Sequence, residues 1–310
     1  MGALPYITAG DAGPEDWVAI ADALEAGHRG PQPEVGDTFL HRGEDTLLSR
    51  SAWIDGLGVG VKSVTVMPGN AAEGRPTVQG AMLVFDDASG APAALIDNAL
   101  ITRWKTAGDS VLGARLLARA DARHLLILGA GNVAESLIAA YPAVLPGIER
   151  ITVWNRSPER AEALAARHSH IRVADSLDAA VAEADIVATT TMSREPVLPG
   201  QALTPGTHVD LIGAFTDRMR EADDATLRRG RIFVDSYDTT IEHIGELTIP
   251  LAEGTIARTD VLGDMRALVA GTAGRRSDDE ITVFKNGGGA HLDLMVARLI
   301  LDRVKLAGNL

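Results

Sequence analysis

The residues with the clearest chemical signature lie in the segment LLILGAGNVA. An apolar stretch typical of a buried strand ends at Gly129, and the GxGxxA spacing continues with Gly131 and Ala134. In such a turn the first glycine permits a sharp bend, and the second lets the backbone approach a pyrophosphate without a Cβ in the way. The alanine allows the following helix to pack closely on the strand. The pattern predicts a dinucleotide-binding turn, and a glycine turn without a ligand is the alternative.

The helix that follows the glycines adds donors for the same ligand. Asn132 and Val133 begin this predicted helix, and a helix N-terminus presents free N–H groups and a partial positive charge. Both features favour the phosphates of a nucleotide cofactor. Because a strand precedes the glycines and a second strand follows at the usual distance, the context favours a bound dinucleotide over an empty turn.

The second strand, ITVWN, ends at Asn155, where enzymes that bind NAD usually carry an acidic residue on the ribose 2′-hydroxyl. A carboxylate there would repel a 2′-phosphate by roughly a few kcal/mol at short range. Asn155 removes this repulsion, while Arg156 offers a planar cation and Ser157 a hydroxyl donor. The sequence therefore predicts NADPH in preference to NADH. The alternative is that Arg156 is a solvated surface side chain and that Ser157 only caps the helix beginning at Pro158.

The elements around the glycine turn alternate between strand and helix. Apolar runs that begin at His124 and at Ile151 are each followed by a helical pattern, and the alternation continues to residue 289. Parallel strands need such crossover connections between them. The sequence predicts an α/β fold, with a Rossmann-type doubly wound parallel sheet over residues 113–289.

The chain before residue 113 has a different pattern of predicted elements. Short β-like runs between residues 37 and 97 are separated by turn signals, which predicts a mostly antiparallel sheet. An amphipathic helix over Ala290–Leu306 is expected to pack back on this sheet. We therefore assign residues 1–112 together with 290–310 to a discontinuous α+β domain. Its other predicted elements are a short strand at Leu4–Ala9, a helix at Pro14–Ala26 and a connecting helix at Thr102–Ala120.

Composition excludes several classes of function. The chain has 310 residues, 46% of them hydrophobic, and a formal net charge of -13. This negative field argues against binding to nucleic acid and to anionic membranes. The sequence has no cysteine and no apolar run of the length that crosses a bilayer. We therefore expect a cytoplasmic protein without a cysteine-ligated metal. His168 and His170 form a pair without a third ligand nearby, so we expect no other metal site.

Four segments that flank the glycine turn carry a family resemblance. They closely resemble the ornithine cyclodeaminase and mu-crystallin family, and the resemblance runs from about residue 37 to the last helix. The resemblance implies a Rossmann domain, a sheet domain that forms a homodimer, and hydride exchange at a carbon that bears an amine or imine beside a carboxylate. The segments are GVGVKSVTVMPGN, RPTVQG, WKTAGDSVLGARLLA and EITVFKNGGGAHLDL.

The resemblance also assigns individual residues. Lys62 matches the family's active-site lysine, which contacts the substrate carboxylate and serves as a proton relay. A lysine in the apolar strand GVGVKSVTV is costly to bury without an anionic partner, and a substrate carboxylate is one such partner. From the strand pattern alone, a lysine on the exposed face is the alternative. The positions that the resemblance places at the dinucleotide are Thr77, Thr106, Thr190, Ile212, Gly213 and Asn286.

Other positions depart from the cyclodeaminase pattern. Lys105 stands where the family usually has an arginine that binds the substrate carboxylate. A lysine keeps the positive charge but cannot form the two parallel hydrogen bonds of a guanidinium. A second family arginine aligns near Asp37, and we expect Arg42 to compensate. Phe215 occupies the position of the catalytic aspartate, and a phenyl ring cannot accept a proton. Leu48 replaces the glutamate that binds the distal amine of ornithine.

These departures favour a substrate whose ring is already closed. We predict an NAD(P)H-dependent oxidoreductase that reduces the C=N bond of Δ1-pyrroline-2-carboxylate or Δ1-piperideine-2-carboxylate to L-proline or L-pipecolate. Lys62 and Lys105 would bind the carboxylate, and Phe215 would form an apolar wall. The alternatives are an ornithine cyclodeaminase, an alanine dehydrogenase, or a crystallin-like binding protein without turnover.

Overall fold

A computed structural model describes residues 4–308. The described chain divides into two compact units. Unit 1 contains the residues up to Lys105 together with those from Gly289 onward, and unit 2 contains Thr106–Gly288. The division falls between residues 105 and 106 rather than at 112, because the long connecting helix contributes to both units.

Between residues 4 and 308, thirteen strands form two separate sheets. Their bounds are β1 Tyr6–Ile7, β2 Glu34–Arg42, β3 Asp45–Ile54, β4 Gly58–Val66, β5 Val78–Phe85, β6 Pro92–Asp97, β7 His124–Leu128, β8 Arg150–Trp154, β9 Ile171–Val173, β10 Ile186–Thr189, β11 His208–Leu211, β12 Gly230–Val234 and β13 Ile281–Lys285.

Eleven α-helices lie within the described residues, together with three short 3₁₀ turns. The helices are α1 Ala9–Ala12, α2 Trp17–Arg29, α3 Asn98–Leu117, α4 Asn132–Val144, α5 Pro158–Arg167, α6 Leu177–Glu183, α7 Asp224–Arg229, α8 Tyr237–Thr240, α9 Gly245–Ala252, α10 Met265–Val269 and α11 Ala290–Leu306. The 3₁₀ turns are Pro68–Glu73, Gly200–Ala202 and Arg258–Asp260. No helix between residues 4 and 308 is long and apolar enough to cross a bilayer.

Unit 1 is built on a six-stranded sheet in the order β1-β6-β5-β4-β3-β2. Neighbouring strands run antiparallel except for β1 and β6, so the predicted antiparallel sheet is confirmed. The last helix, α11, has the predicted bounds and packs on α2, β3 and β4. It approaches α2 closely, since a Cβ on Gly27 would lie 2.5 Å from the Met295 sulfur. Helix α11, with α2 packed on it, therefore covers one face of this sheet.

Unit 2 is a seven-stranded, fully parallel sheet in the order β12-β13-β11-β10-β7-β8-β9. This confirms the predicted doubly wound sheet. The last strand of the chain, β13, inserts between β11 and β12. The chain order reverses between β7 and β10, and ligands of such sheets bind beyond the carboxyl ends of the strands at this switch point.

The core of unit 2 follows from the apolar runs in the sequence. Every residue of β7, HLLIL, is buried, as are the four residues of β10. Strands buried on both faces need helices on both sides, and the crossovers supply them. Rigid strands consequently fix the loops that follow Leu128 and Thr189, and these loops carry the predicted dinucleotide residues.

Candidate dinucleotide and imino-acid sites

The glycine turn begins directly after β7. Gly129 has φ +120°, a conformation that side chains rarely adopt, and a Cβ there would lie 2.3 Å from the Thr190 hydroxyl oxygen. Its N–H donates to the Trp154 carbonyl at 2.8 Å, which ties the turn to the end of β8. Only glycine fits this position, because both the backbone angle and the neighbouring hydroxyl exclude a side chain.

Gly131 is different, because the protein itself leaves space beside it. A Cβ on Gly131 would meet no atom of the described residues within 4 Å. Asn132 is the first residue of α4, and Ala134 in the same helix is fully buried. The space beside Gly131 and the free N–H groups of the α4 N-terminus fit a dinucleotide pyrophosphate.

The end of β8 has the side chains predicted for a 2′-phosphate. The Asn155 amide donates to the Ser157 carbonyl at 2.9 Å, which shapes the loop before α5. Arg156 is exposed. Ser157 occupies the N-cap position ahead of Pro158, and its hydroxyl makes no capping hydrogen bond. The hydroxyl is thus not used by the helix, contrary to the capping alternative.

Glu221 connects the ends of β10 and β11, a role that sequence reasoning missed. Its carboxylate accepts hydrogen bonds from the Thr191 N–H at 2.6 Å and hydroxyl at 2.8 Å. It also accepts from the backbone N–H groups of Gly213 at 2.6 Å and Ala214 at 3.2 Å. Charge-assisted bonds of this kind are strong. Glu221 therefore fixes two loops that carry predicted dinucleotide contacts, although in the sequence it lies in an ordinary-looking charged run.

A second layer of buried charge lies behind Glu221. Glu246 accepts from the backbone N–H groups of Glu221 at 2.8 Å and Ala222 at 2.9 Å. Burial, and then the charge of Glu221, raise the pKa of Glu246 to about 7. The Lys285 ammonium donates to the carbonyls of Leu211 and Asn286, and burial lowers its pKa. This fully buried network makes the carboxyl ends of β11 and β13 rigid.

The remaining unit 2 positions differ in exposure. Thr190 is half-buried at the end of β10, and its hydroxyl donates to the Leu128 carbonyl at 3.1 Å. Ile212 is buried. Asn286 is 3% exposed, and its amide donates to the Thr106 carbonyl and the Ser110 hydroxyl, both at 3.1 Å. Phe215 is 59% exposed in the loop after β11, so its ring is not part of the core.

Lys62 is the central charged residue of unit 1. It lies in the middle of β4 on the face that the helices cover, and it is 6% exposed. Its ammonium donates to the Asp293 Oδ1 at 2.8 Å, and Asp293 in α11 is fully buried. The exposed-face alternative for Lys62 is therefore wrong. The second oxygen of Asp293 has no hydrogen-bond partner within the described chain.

The other predicted unit 1 positions differ in exposure and in their contacts. Lys105 is 8% exposed in α3. Thr77 is half-buried before β5, and its carbonyl accepts from the Met67 N–H at 2.7 Å. Arg42 ends β2 with its side chain 81% exposed and bonded to Asp45 across the hairpin at 2.9 Å. Arg50, which sequence reasoning did not consider, is the residue directly opposite Lys62 on β3.

These features define a protein with a Rossmann-type dinucleotide-binding unit and a second unit that holds a buried lysine. The sequence profile of the ornithine cyclodeaminase/mu-crystallin family matches residues 51–308. The chain belongs to this family, which confirms the resemblance carried by its motifs.

Individual relatives and solved structures are also similar to this chain. The chain is 56% identical over 301 residues to a Δ1-pyrroline-2-carboxylate reductase of Paracoccus denitrificans, covering 95% of each chain. The structure of Thermococcus litoralis Δ1-pyrroline-2-carboxylate reductase in complex with NADH and L-proline is similar, with a TM-score of 0.91, 27% identity and 98% of each chain covered. An archaeal alanine dehydrogenase dimer with bound NAD gives a TM-score of 0.90 at 26% identity, covering 99% of this chain and 97% of the other.

Proposed function

We propose that the protein is a nicotinamide-dependent reductase of cyclic imino acids and converts Δ1-pyrroline-2-carboxylate to L-proline. The observation that carries the proposal is the ammonium of Lys62, which is buried on the covered face of the unit 1 sheet, paired with Asp293 and directly opposite a second cation, Arg50. Two cations on neighbouring strands favour a bound anion, and the carboxylate of an imino acid is suited to this role. The 56% identity to a reductase of this name supports the same substrate.

The glycine turn, the α4 N-terminus and the loops fixed by Glu221 would hold the dinucleotide. When bound in reduced form, the dinucleotide supplies a hydride for the imine carbon. Lys62 and Lys105 bind the substrate carboxylate and orient the C=N bond. Lys62, or a water bound to it, keeps the imine nitrogen protonated, so that the carbon becomes more electrophilic. The hydride and this proton together convert the imine to the amine.

Phe215 supports a closed-ring substrate over ornithine. Its ring is exposed in the loop after β11. A cyclodeaminase needs a carboxylate at this position to handle the protons of a side-chain amine, and a phenyl ring offers an apolar wall instead. The related structure named for this reductase holds L-proline, a product of the expected size.

NADPH is the proposed coenzyme of choice. Support comes from Asn155 in place of an acidic residue, from the exposed Arg156, and from the Ser157 hydroxyl that the helix does not use. Two of the related structures hold NADH or NAD, so the preference rests on these three residues of this chain. The ratio of kcat/KM for NADPH to that for NADH tests it. Arg156→Ala should lower kcat/KM for NADPH and leave kcat/KM for NADH unchanged. If the substitution does not change the ratio of the two, the proposed preference is contradicted.

An absorbance assay of coenzyme oxidation tests the reaction itself. The panel contains Δ1-pyrroline-2-carboxylate, Δ1-piperideine-2-carboxylate, α-keto acids with ammonia, and ornithine with the oxidised coenzyme. We expect rapid oxidation with the cyclic imines alone. Release of ammonia from ornithine without reduction of either imine would reject the proposal. Binding of coenzyme and imine without turnover would favour a crystallin-like binding protein.

A homodimer is the proposed assembly, formed through the face of the unit 1 sheet that α2 and α11 do not cover. Apolar side chains on this face are exposed, among them Leu40 at 61%, Trp53 at 55% and Tyr6 at 52%. Extended apolar surface of this kind marks protein contacts, and a related alanine dehydrogenase is described as a dimer. Trp53→Glu should yield monomers by light scattering, whereas Val18→Glu on α2 should not; a wild-type monomer contradicts the assembly.

A further inference from the structure

Four charged side chains lie together on the covered face of the unit 1 sheet. Asp37, Arg50 and Lys62 form one row, as direct cross-strand partners on β2, β3 and β4. Asp293, in the first turn of α11, contacts Lys62 from the covering helix. The group therefore contains two cations and two carboxylates.

Each of the two carboxylates binds one of the two cations. Asp37 accepts from the Arg50 guanidinium at 2.6 Å, and Asp293 accepts from the Lys62 ammonium at 2.8 Å. Directly opposite side chains have Cβ atoms about 5 Å apart, and like charges at such positions destabilise a sheet. The arrangement places two cations side by side, and an anion that contacts both would remove this repulsion.

The Arg50 guanidinium also has unused donor capacity. Its Nε is buried and has no hydrogen-bond partner within residues 4–308. The side chain as a whole is 18% exposed, compared with 7% for Lys62. A buried donor without an acceptor costs free energy, and a guanidinium matches a carboxylate with two parallel hydrogen bonds. A planar carboxylate is an acceptor that fits this donor.

We propose that Arg50 binds the substrate carboxylate together with Lys62 and selects imines that carry this group. The inference deepens the proposed reductase function and rests on it. Sequence comparison with the family had suggested Arg42 as the compensating cation. Arg42 lies at the end of the hairpin and bonds to Asp45, whereas Arg50 faces Lys62 directly. Asp37 would hold the Arg50 side chain in position, at the place where the family carries an arginine.

Binding of pyrrole-2-carboxylate, a planar non-reducible mimic, tests the proposal without turnover. Calorimetry on protein saturated with coenzyme should give a Kd at least tenfold higher for Arg50→Met than for wild type. Arg50→Lys keeps the charge but loses the planar guanidinium, so its Kd should lie between those of wild type and Arg50→Met. Arg29→Met, which removes an exposed arginine paired with Glu25 on α2, is the matched control and should bind as wild type does.

Steady-state rates provide the second measurement. Arg50→Met should lower kcat/KM for Δ1-pyrroline-2-carboxylate at least tenfold, mainly through KM, and change the rate with carboxylate-free Δ1-pyrroline less than twofold. The KM for coenzyme should stay constant. Loss of the preference for the carboxylated imine is the result that a purely structural role of Arg50 does not produce.

The Asp37→Asn variant distinguishes a role of Arg50 in substrate binding from a role in the ion pair between β2 and β3. It weakens the same ion pair but keeps the guanidinium, so its effect on Kd should be several-fold smaller than that of Arg50→Met. Equal effects of the two variants, or an Arg50→Met variant that binds as wild type does, would overturn the proposal. A wild-type protein that binds pyrrole-2-carboxylate through Arg50 but reduces no imine would refute the proposed function and leave the Arg50 site standing.

Discussion

The Lys62 ammonium donates a 2.8 Å hydrogen bond to the Asp293 carboxylate, which joins the middle of β4 to the first turn of α11. Both side chains are buried. An ion pair in such surroundings gains little net stability because both charges lose their hydration. We therefore expect the main role of the pair to be orienting the lysine toward the proposed substrate carboxylate.

Replacement of Asp293 tests this role. Asp293→Asn leaves the Lys62 charge buried without its counter-charge, and we expect a loss of about 3 kcal/mol in the free energy of unfolding. The KM for the imino acid should rise more than the KM for the coenzyme. Asp302→Asn is the control on the same helix, since Asp302 is 53% exposed. Equal effects of the two variants on stability and on KM would contradict the role.

Replacement of Lys62 separates chemistry from coenzyme binding. Lys62→Met keeps the aliphatic stem but removes the ammonium that we propose as carboxylate ligand and proton relay, so kcat should fall on the order of 100-fold. The Kd for coenzyme, measured by fluorescence titration, should change less than twofold. If both quantities worsened to the same extent, Lys62 would have no separate part in the reaction.

The two glycines of the turn should respond differently to a methyl group. Gly131→Ala meets no protein atom within 4 Å, so the melting temperature should be unchanged while the KM for coenzyme rises by about tenfold or more. Gly129→Ala forces an alanine to φ +120° against Thr190, and it should destabilise the fold by roughly 1–3 kcal/mol. Unaltered coenzyme binding in Gly131→Ala would show that the pyrophosphate does not bind at this turn.

Glu221 should affect the coenzyme more than the imino acid. Glu221→Gln turns an amide NH₂ toward the backbone N–H groups of Thr191 or Gly213, which now donate to the carboxylate. Loss of such charge-assisted bonds costs about 2 kcal/mol, and the loops shift. We expect the KM for coenzyme to rise and that for the imino acid to stay constant. Glu253→Gln, at a side chain 59% exposed, is the control.

Asp210 should make stability depend on pH. Burial raises the pKa of Asp210 to about 7, even though the Tyr141 hydroxyl donates to its carboxylate at 2.7 Å. Between pH 4 and pH 7 the unfolded chain has released a proton that the folded chain retains. The stabilisation is therefore fully present below about pH 4 and is lost as the pH rises to about 7, at up to about 1.4 kcal/mol per pH unit.

Denaturant unfolding of Asp210→Asn measures this contribution. The amide is always neutral, so the free energy of unfolding of wild type minus that of the variant should decrease from pH 5 to pH 7.5. A difference that stays constant across this range would show that Asp210 is ionised in the folded protein at all these values.

Local patterns in the sequence predicted most of the scaffold. The predicted strand, turn and helix around Gly129–Ala134 and the bounds of α11 are confirmed, because turn geometry and helical periodicity depend on neighbouring residues. Helix α3 begins at Asn98 rather than Thr102, since Asp97 accepts from the Leu100 N–H and starts the helix earlier.

The sequence by itself determined the two sheets and the glycine turn after β7, and the family resemblance of its motifs singled out Lys62. Only the tertiary structure decided which charges surround that lysine. The row from Asp37 to Arg50 and Lys62 depends on the register of three strands, and Asp293 joins it from a helix 231 residues away in the chain. Glu221 likewise acquires its role only where two strand ends meet. Such contacts follow from packing between distant segments, which no local periodicity encodes.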